Sequence, residues 1–571
     1  MNSSENLEWA PWRPARAPAS ALTKAALAVV LALAAVWACA FPLFAFQAAP
    51  KAKGGLEGRV VNAATGDAVR KVNLTLLPNQ DTHDPHDSHE PLTAQTDDKG
   101  GFSFHDLAPG SYRLGGEKAG FEKQHYGARL NPNMGVLLSV KAGEAVKDVT
   151  FKLIPNAVIG GRVLDQDGEI MPNLTVSALR STYVRGKRQW TQAGGATTND
   201  RGEFRIAGLR PGKYIVGATD LNIGIGIAGV TKGPLPDKPE PAYGTTYFGN
   251  TGDMARAVPV EVRMGDDRHG ADIQMIKTTA VRVRGKVVGA PDGKILVVML
   301  IRKGGPGMGA APGGVGIVQP TDASFEIKNV APGAYVLMAR SATAVTEPMG
   351  APMPIEVGDR HIDGVEFSLS PGGSELSGTV TIPGYKPTAE KTVTVTLERL
   401  DFQTGDSPAA KLGEDGTFTL KNAFTGRYRV RVSGLPDNAY VKTVKFGGQE
   451  LDQDGADWNG GSGSLEIQVS RTGAQLEGTI VGPDGKPLSG ATAVLIPESR
   501  RESLYRNATA EADGTFNMKG VAPGKYKLLA WEDLEQGAFL DPDFVKPYER
   551  SAQDLVVEEN GKVKLTVTAV R

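Results

Sequence analysis

The chain has 571 residues, of which 71 are glycine and 37 are proline. Its 63 Lys and Arg nearly balance its 64 Asp and Glu, which argues against a nucleic-acid-binding protein and against an acidic solvating chain. The single cysteine, Cys39, excludes an intrachain disulfide and a zinc site built on cysteines. So many turn-forming residues among many apolar runs predict several domains rich in short β-strands.

The amino terminus carries an uncharged apolar run at residues 25–46, preceded by a polar leader at residues 1–24. As a helix, the run is long enough to cross a bilayer core of about 30 Å. Its length favours a retained signal anchor, and a signal peptide cut near Ala45 or Ala48 is the alternative. We therefore expect a membrane-anchored, extracytoplasmic protein, periplasmic or on the cell surface, or a secreted one if the segment is cleaved. Residues 47–54 would form a linker.

One pattern, Phe-x7-Gly-x-Tyr, recurs five times at constant spacing. In each copy a strand of alternating apolar residues contains the Phe, a turn contains the Gly, and the Tyr returns on the inward face. An upstream glycine opens another strand rich in β-branched residues. The predicted core residues of the repeat are Phe102 and Tyr112, Phe204 and Tyr214, Phe325 and Tyr335, Phe418 and Tyr428, and Phe516 and Tyr526.

The repeats predict an all-β chain of five tandem seven-stranded β-sandwich domains after the N-terminal helix. Short linkers between the units favour limited flexing, and we expect an extended rod. The predicted domains span residues 55–155, 156–277, 278–371, 372–471 and 472–571, with an insertion at 220–260 in the second.

The Gly-x-Val start, the Asp-x-Gly-x-Phe turn and the Pro-Gly-x-Tyr hairpin together resemble the carboxypeptidase regulatory-like domain. The motifs are complete in copies one, two and five, whereas copy three lacks the turn glycine and copy four lacks the proline. The resemblance covers residues 55–571. It implies a transthyretin-like (prealbumin-like) β-sandwich, classed as a carbohydrate-binding-like fold, with a non-catalytic accessory or binding role.

No catalytic constellation stands out in the sequence. The zinc pattern His-x-x-Glu and the phosphate loop are absent, and no Gly-x-Ser-x-Gly stands on a strand-to-helix turn. We therefore predict a protein that is not an enzyme and has no cofactor. The alternative is a hydrolase with its site in the insertion of the second domain, where Asp220, Asp237, Glu240, Asp253 and tyrosines are available.

A histidine-rich loop in copy one is a metal candidate, because His83, His86 and His89 interleave with acidic residues. Imidazole and carboxylate groups suit Zn²⁺, Ni²⁺ or Cu²⁺. A flexible loop that contains Pro85 gives no preformed geometry, so a solvated insertion is favoured over a metal site.

A second acidic loop, with Asp452, Asp454 and Asp457, resembles the start of a calcium loop. Counting from Asp452, the twelfth position is Gly463, where an EF-hand needs a glutamate. Loop solvation is again favoured.

Sugar binding requires exposed aromatic rings that stack on pyranose faces. Aromatic residues make up only 6% of the chain, and rings at loop–strand junctions more often pack against an edge. The candidate platforms outside the repeated core are Tyr183, Trp190, Tyr247, Trp458 and Trp531.

Together, these observations predict a non-catalytic cell-envelope protein that acts as a binding or spacer module. Its candidate partners are a glycan or an envelope protein, with the membrane reached through the N-terminal helix and no nucleic acid bound. A further alternative is an accessory partner of an envelope peptidase or transporter.

Overall fold

The computed structural model is an all-β protein, as predicted, with one α-helix of four residues and a few short 3₁₀ helices in the described part. The described part contains no helix long and apolar enough to span a membrane. The predicted anchor at 25–46 and its leader lie outside this part, so both stay predictions. The structure describes residues 52–78, 90–128, 135–220, 240–290, 295–303, 313–342, 352–369, 374–385, 392–400, 407–423, 426–452, 454–458 and 463–571.

Domain 1 is a sandwich of two sheets around one apolar core that runs from Leu56 to Leu153. Its described strands are β1 (Gly54–Asn62), β2 (Asn73–Pro78), β3 (Leu92–Gln95), β4 (Gly101–Leu107), β5 (Gly110–Glu117), β6 (Gln124–His125), β7 (Leu137–Val140) and β8 (Ala145–Leu153). One sheet has the order β4-β1-β8, and the other has the order β3-β2-β5-β6 with β7 paired to β5.

Domain 2 has a core from Ala157 to Met275 and a long hairpin, β10–β11. A 3₁₀ helix covers Met254–Arg256. The described strands are β9 (Ala157–Leu164), β10 (Thr175–Val184), β11 (Lys187–Thr197), β12 (Glu203–Leu209), β13 (Gly212–Thr219), β14 (Glu240–Tyr243), β15 (Thr246–Tyr247), β16 (Val260–Val262), β17 (Asp267–Arg268) and β18 (Ile273–Gln274).

Domains 3 and 4 repeat the arrangement, with cores from Val281 to Leu369 and from Leu376 to Val469. In domain 3 the described strands are β19 (Lys277–Val288), β20 (Leu296–Arg302), β21 (Gly314–Ile317), β22 (Ser324–Val330), β23 (Gly333–Ser341), β24 (Met353–Val357) and β25 (Ile362–Ser368). In domain 4 they are β26 (Ser374–Thr381), β27 (Thr394–Arg399), β28 (Ala409–Lys411), β29 (Thr417–Ala423), β30 (Gly426–Ser433), β31 (Tyr440–Phe446), β32 (Gln449–Glu450), β33 (Ala456–Trp458) and β34 (Gly463–Ser470).

Domain 5 has a core from Ala474 to Ala569 and a second apolar cluster under a helical connection. Its strands are β35 (Ala474–Val481), β36 (Thr492–Pro497), β37 (Arg506–Thr509), β38 (Thr515–Val521), β39 (Gly524–Trp531), β40 (Gln553–Val557) and β41 (Lys562–Val570). The connection holds helix α1 (Pro542–Val545) between the 3₁₀ helices Ala538–Leu540 and Lys546–Ser551, and another 3₁₀ helix covers Glu502–Leu504.

The number of described strands differs from the seven expected in domains 1, 2 and 4, because short extra pairs form in their loops. Each of the five cores falls within one predicted domain, although the borders themselves stay predictions. In every domain the strand with the start glycine pairs with the strand of the repeated Phe on one side and with a later, parallel strand on the other.

The repeated motif is a packing unit. All ten repeated Phe and Tyr side chains are buried. A Cβ on Gly58 would lie 2.1 Å from the carbonyl oxygen of Val149 and 2.9 Å from the ring of Phe102, so only glycine fits under that ring. The Tyr112 hydroxyl donates a hydrogen bond to the carbonyl of Ala108 at 2.7 Å, and the tyrosines of domains 2, 3 and 5 repeat this bond.

The five domains do not form an extended rod, so that expectation is wrong. The β10–β11 hairpin of domain 2 reaches two later domains, because its strands of 10 and 11 residues extend beyond the sandwich. Arg185 at its tip forms an ion pair with Glu398 of domain 4 at 3.0 Å, and Tyr183 contacts Phe544 of domain 5. The chain is therefore folded back on itself.

Candidate functional site

A cleft of about 950 Å³ opens on the outer face of the β4-β1-β8 sheet of domain 1. We call it the domain 1 cleft. Alternation along β1 turns Leu56 and Val60 into the core and leaves Glu57 and Arg59 on the outer face. Polar side chains dominate its lining, which includes Glu57, Arg59, Gln95, Asp97, Ser103, His105, Lys147, Asp148 and Thr150.

A β-bulge places two charged side chains of β8 on the cleft side. The register between β1 and β8 shifts between Leu56 and Gly58, and both Lys147 and Asp148 are exposed. Asp148 has a φ of 62°, a left-handed conformation that aspartate tolerates better than most residues. The bulge thus adds a cation and an anion to one end of the cleft.

The charged groups of the domain 1 cleft form no ion pairs among the described residues, unlike those on the same face of domain 2. There, Arg162 pairs with Glu203 at 2.9 Å, and Arg205 pairs with Asp267 at 3.2 Å. Hydrogen bonds from the side chains of Asn199 and, to a smaller extent, Arg162 hold the pKa of Glu203 below its ordinary value.

Domain 1 lacks the partner for this arginine. Alignment of the start glycines Gly58 and Gly161 places Arg59 at the position of Arg162, and the repeated Phe places Gly101 at the position of Glu203. Domain 3 also pairs its outer charges, with Arg284 and Glu326 at 2.8 Å. The charges of the domain 1 cleft thus lack the ion pairs seen in domains 2 and 3, whereas Asp97 accepts hydrogen bonds from the backbone of its own turn.

Two of the predicted sugar platforms are buried, so their assignment as exposed platforms is wrong. Trp531 is 1% exposed, since the connection that contains α1 covers it. Tyr247 is 8% exposed and packs with Leu179 and Ile215 in a small second cluster of domain 2. Neither ring offers a free face to a sugar.

The other three predicted rings are half-buried and lie apart from one another. Tyr183 packs edge-on against Phe544, Trp190 packs against the small second cluster of domain 2, and Trp458 packs edge-on against Phe446 at a centroid distance of 4.8 Å. None of the three lines the domain 1 cleft. Their role in sugar binding stays a prediction.

The predicted metal ligands His83, His86 and His89 lie outside the described residues. Within the described ranges, no three His, Cys, Asp or Glu side chains are grouped as a metal site. For the hydrolase alternative, Asp253 caps a 3₁₀ helix by accepting a hydrogen bond from the backbone of Ala255 at 3.0 Å. Asp237 lies outside the described part.

Asp454, from the predicted acidic loop, contacts domain 5. Its carboxylate accepts hydrogen bonds from the backbone N–H groups of Glu502 at 2.9 Å and Ser503 at 3.1 Å. It therefore stabilises the start of the 3₁₀ helix Glu502–Leu504 from the neighbouring domain. No sequence pattern indicated this role, because the partner is 48 residues away.

A charge network joins domains 2, 4 and 5, and no motif in the sequence pointed to it. Arg429, only 5% exposed, donates to Glu398 from Nη2 at 2.8 Å and pairs with Glu502 through Nη1 at 2.6 Å. Arg185 completes it from domain 2. Burial raises the pKa of Glu398, but the hydrogen bond from Arg429 and the charges of Arg429 and Arg185 outweigh it and leave that pKa lowered. We call these four residues the junction network.

Comparison with known families bears on domains 1 and 2. The family model of the carboxypeptidase regulatory-like domain matches residues 55–151 and 158–224. The resemblance drawn from the motifs is confirmed there. The first matched stretch of the regulatory-like domain contains every residue that lines the domain 1 cleft. No curated protein sequence matches the chain.

Several solved structures are similar to parts of the chain. The TIE protein of Bacillus anthracis is 12% identical over 70% of this chain and 69% of its own, with a TM-score of 0.15. The minor pilin GBS52 of Streptococcus agalactiae is 16% identical over 39% of this chain and 95% of its own, with a TM-score of 0.22. The major pilin subunit BcpA of Bacillus cereus is 11% identical over 56% and 100%, with a TM-score of 0.14. At such TM-scores these likenesses carry no argument about function.

Proposed function

We propose that the chain is a non-catalytic binding module of the cell envelope and that its ligand is a glycan held in the domain 1 cleft. The observation that carries the proposal is the unpaired state of Glu57, Arg59, His105 and Lys147 among the described residues, on a face whose charges are paired in domains 2 and 3.

The chemistry of the cleft suits a polyhydroxylated ligand. Sugar hydroxyls both donate and accept hydrogen bonds, and the cleft presents donors on Arg59 and Lys147 beside acceptors on Glu57 and Asp148. Its volume of about 950 Å³ lies in the range of small-molecule sites. The ring that lines it, Phe102, is buried, so binding would rest on hydrogen bonds more than on stacking.

The proposed cellular location rests on the apolar run at the amino terminus. An anchor at residues 25–46 would hold the cleft outside the membrane, at the cell surface or in the periplasm. The folded-back arrangement fits a compact binding unit better than a long spacer. Fractionation of the native protein with and without residues 1–48 would test the anchor, since loss of the membrane fraction is expected only for the shortened chain.

A glycan array probed with the full chain tests the ligand. We expect a defined set of glycans to bind the wild type and to bind Arg59→Ala at least tenfold more weakly. Arg162→Ala removes the equivalent arginine of domain 2 and is the matched control, because its partner is Glu203. Equal binding by all three proteins, or binding of the wild type to no glycan on the array, would rule out the proposal.

A further inference from the structure

Domains 1, 2 and 3 are tied to one another by contacts of the described residues. Glu122 of domain 1 forms an ion pair with Arg210 of domain 2. Strand β14, from the insertion of domain 2, pairs with the first residues of β19 and so extends a sheet of domain 3. Separation of domains 2 and 3 would break the backbone hydrogen bonds of this pairing and leave their donors and acceptors without partners. We therefore call domains 1–3 the first arm.

Domains 4 and 5 form the second arm. Gly520 of domain 5 has a φ of +63°, and a Cβ there would lie 2.7 Å from the carbonyl oxygen of Ala439 in domain 4. Beside this close approach, Lys519 forms an ion pair with Asp437 at 2.8 Å. The junction network joins the same two domains through buried charges. Domains 4 and 5 therefore move as one body.

The two arms meet where the tip of the β10–β11 hairpin docks on the second arm. Tyr183 packs edge-on against Phe544 of domain 5. Arg185 pairs with Glu398 of domain 4, which is 213 residues away in the sequence, and both side chains are largely buried. The sequence crosses from the first arm to the second only once, after Leu369. The docked tip is thus a contact between two bodies that a single crossing of the chain connects.

We propose that the hairpin of one copy docks on the second arm of another copy, so that two chains form a dimer by exchanging hairpins. The second arm presents the same Phe544 and Glu398 to a hairpin from either source. An exchanged dimer therefore contains as many docked hairpins as two closed monomers, and the two states differ mainly in the entropy of association. Exchange leaves the domain 1 cleft of each chain unchanged, so it is independent of the proposed function.

Closure within one chain competes with exchange. Linked partners have an effective concentration of the order of millimolar, so the closed monomer dominates in dilute solution. The dimer of the wild type should grow as the protein concentration approaches that value. Removal of closure within each chain should make docking between chains visible.

A mixture of two variants of the full chain tests the exchange. The double variant Tyr183→Ala/Arg185→Ala removes the docking side chains of the hairpin and keeps the second arm intact. Phe544→Ala disables the second arm and keeps the hairpin intact. Neither variant closes on itself, whereas the hairpin of the second variant can dock on the first. We expect each variant alone to sediment as a monomer and the mixture to contain a heterodimer, which pull-down through different affinity tags would detect.

Arg162→Ala is the matched control for the hairpin variant, because it removes an arginine of domain 2 and keeps the hairpin. Its own hairpin occupies its second arm, so it should form at least tenfold less heterodimer with Phe544→Ala. Thermal melting checks that each variant folds. Phe544 also packs in the second apolar cluster of domain 5, so Glu398→Gln replaces Phe544→Ala if the latter is unfolded.

Three results would overturn the proposal. One is a mixture that associates no more than its two components alone. Another is a hairpin variant that dimerises alone as well as the wild type does, because such a dimer uses a different surface. The third is a wild type that stays monomeric up to millimolar concentration.

Discussion

The ring of Tyr183 in domain 2 packs edge-on against the ring of Phe544 in domain 5, with their centroids 5.8 Å apart. Arg188 covers the Tyr183 ring at 4.7 Å, so this aromatic contact has a cation on another side. Two residues further along, Arg185 pairs with Glu398 of domain 4. The β10–β11 hairpin thus contacts domains 4 and 5, which follow it much later in the chain. These two contacts fold the chain back on itself.

Substitution of Gly186 tests the docking of the hairpin. Its φ is +70°, and a Cβ there would lie 2.8 Å from the backbone of Leu540 in domain 5. Gly186→Ala is therefore expected to push the hairpin away from domain 5. This clash adds to the cost of about 1 kcal/mol for an alanine in the left-handed conformation. Small-angle X-ray scattering should show a larger radius of gyration.

Gly168→Ala provides the matched control for that experiment. Gly168 has a φ of +84° in the same domain, and a Cβ added there would meet nothing within 4 Å. Gly168→Ala should lower the free energy of unfolding by a similar amount through the backbone alone. The radius of gyration should not change. If both variants expand the molecule equally, contact with Leu540 is not what holds the hairpin.

The junction network should dominate the polar stability of the interface between domains 4 and 5. Arg429→Met leaves Glu502 without its buried cation and removes the main partner of Glu398. Removal of one member of a buried pair costs about 3–5 kcal/mol, and the partial exposure of both glutamates favours the lower end. Urea denaturation of the full chain should show the loss in the transition of domains 4 and 5.

Arg162→Ala is the control for the junction network, because the Arg162 pair with Glu203 is largely exposed. Its effect on the free energy of unfolding should be small. A loss for Arg429→Met no larger than that for Arg162→Ala would contradict the stabilising role of the network.

The sandwich folds were predictable because their information is local and repeated. The alternation of Phe204 and Ile206 with polar neighbours places a strand, and the fixed distance to Gly212 and Tyr214 places its hairpin. The same pattern occurs in every copy, so an error in one copy is corrected by the other four. The all-β fold follows from this redundancy.

The contacts between domains were not predictable, because each depends on surfaces far apart in the chain. In the sequence Tyr183 resembles any aromatic residue of a strand, and nothing near it indicates Phe544. Burial of Trp531 likewise depends on how residues 532–552 pack over β39. The unpaired charges of the domain 1 cleft stand out only by comparison with the ion pair of Arg162 and Glu203 in domain 2, which the sequence does not indicate.

Acid should weaken the junction network. The folded-state pKa of Glu398 lies below the ordinary value of 4.5, so its carboxylate stabilises the folded state above that value. This contribution is lost as the pH falls through the lowered pKa. Domain 4 and its contact with domain 2 should therefore be most stable well above pH 4.5 and lose stability as the pH falls below that value, which urea denaturation at a series of pH values would measure.

Glu398→Gln is the variant that isolates this effect. It should reduce the stability of domain 4 at neutral pH and flatten the acid dependence of domain 4 and its contact with domain 2. An unchanged acid slope in Glu398→Gln would assign the titration to another carboxylate.

The contact between domains 1 and 2 should respond to pH in the opposite direction. Burial raises the pKa of Glu122, and the charges of Arg210 and Arg180 do not fully offset it. A raised pKa means that the folded state binds the proton more tightly, so this group loses stability as the pH rises from the ordinary value of 4.5 through the raised one. Glu122→Gln should remove that loss, and a denaturation series on this variant should be flatter over the same range. A slope of the wild-type sign in the variant would exclude Glu122 as its source.

Two glycines of the first repeat should differ sharply in their tolerance of alanine. At Gly58 the new Cβ would lie 2.1 Å from the carbonyl of Val149, in the middle of the β4-β1-β8 sheet, where neither backbone can move alone. At Gly110, the hairpin glycine of the same motif, nothing lies within 4 Å and φ is outside the left-handed region. Gly58→Ala should thus destabilise domain 1 by about 3 kcal/mol, the upper end of the range typical of overpacking. Gly110→Ala should be close to neutral. Thermal unfolding of the two variants beside the wild type measures the difference, and equal losses would show that the start glycine is not required by the close approach of Val149.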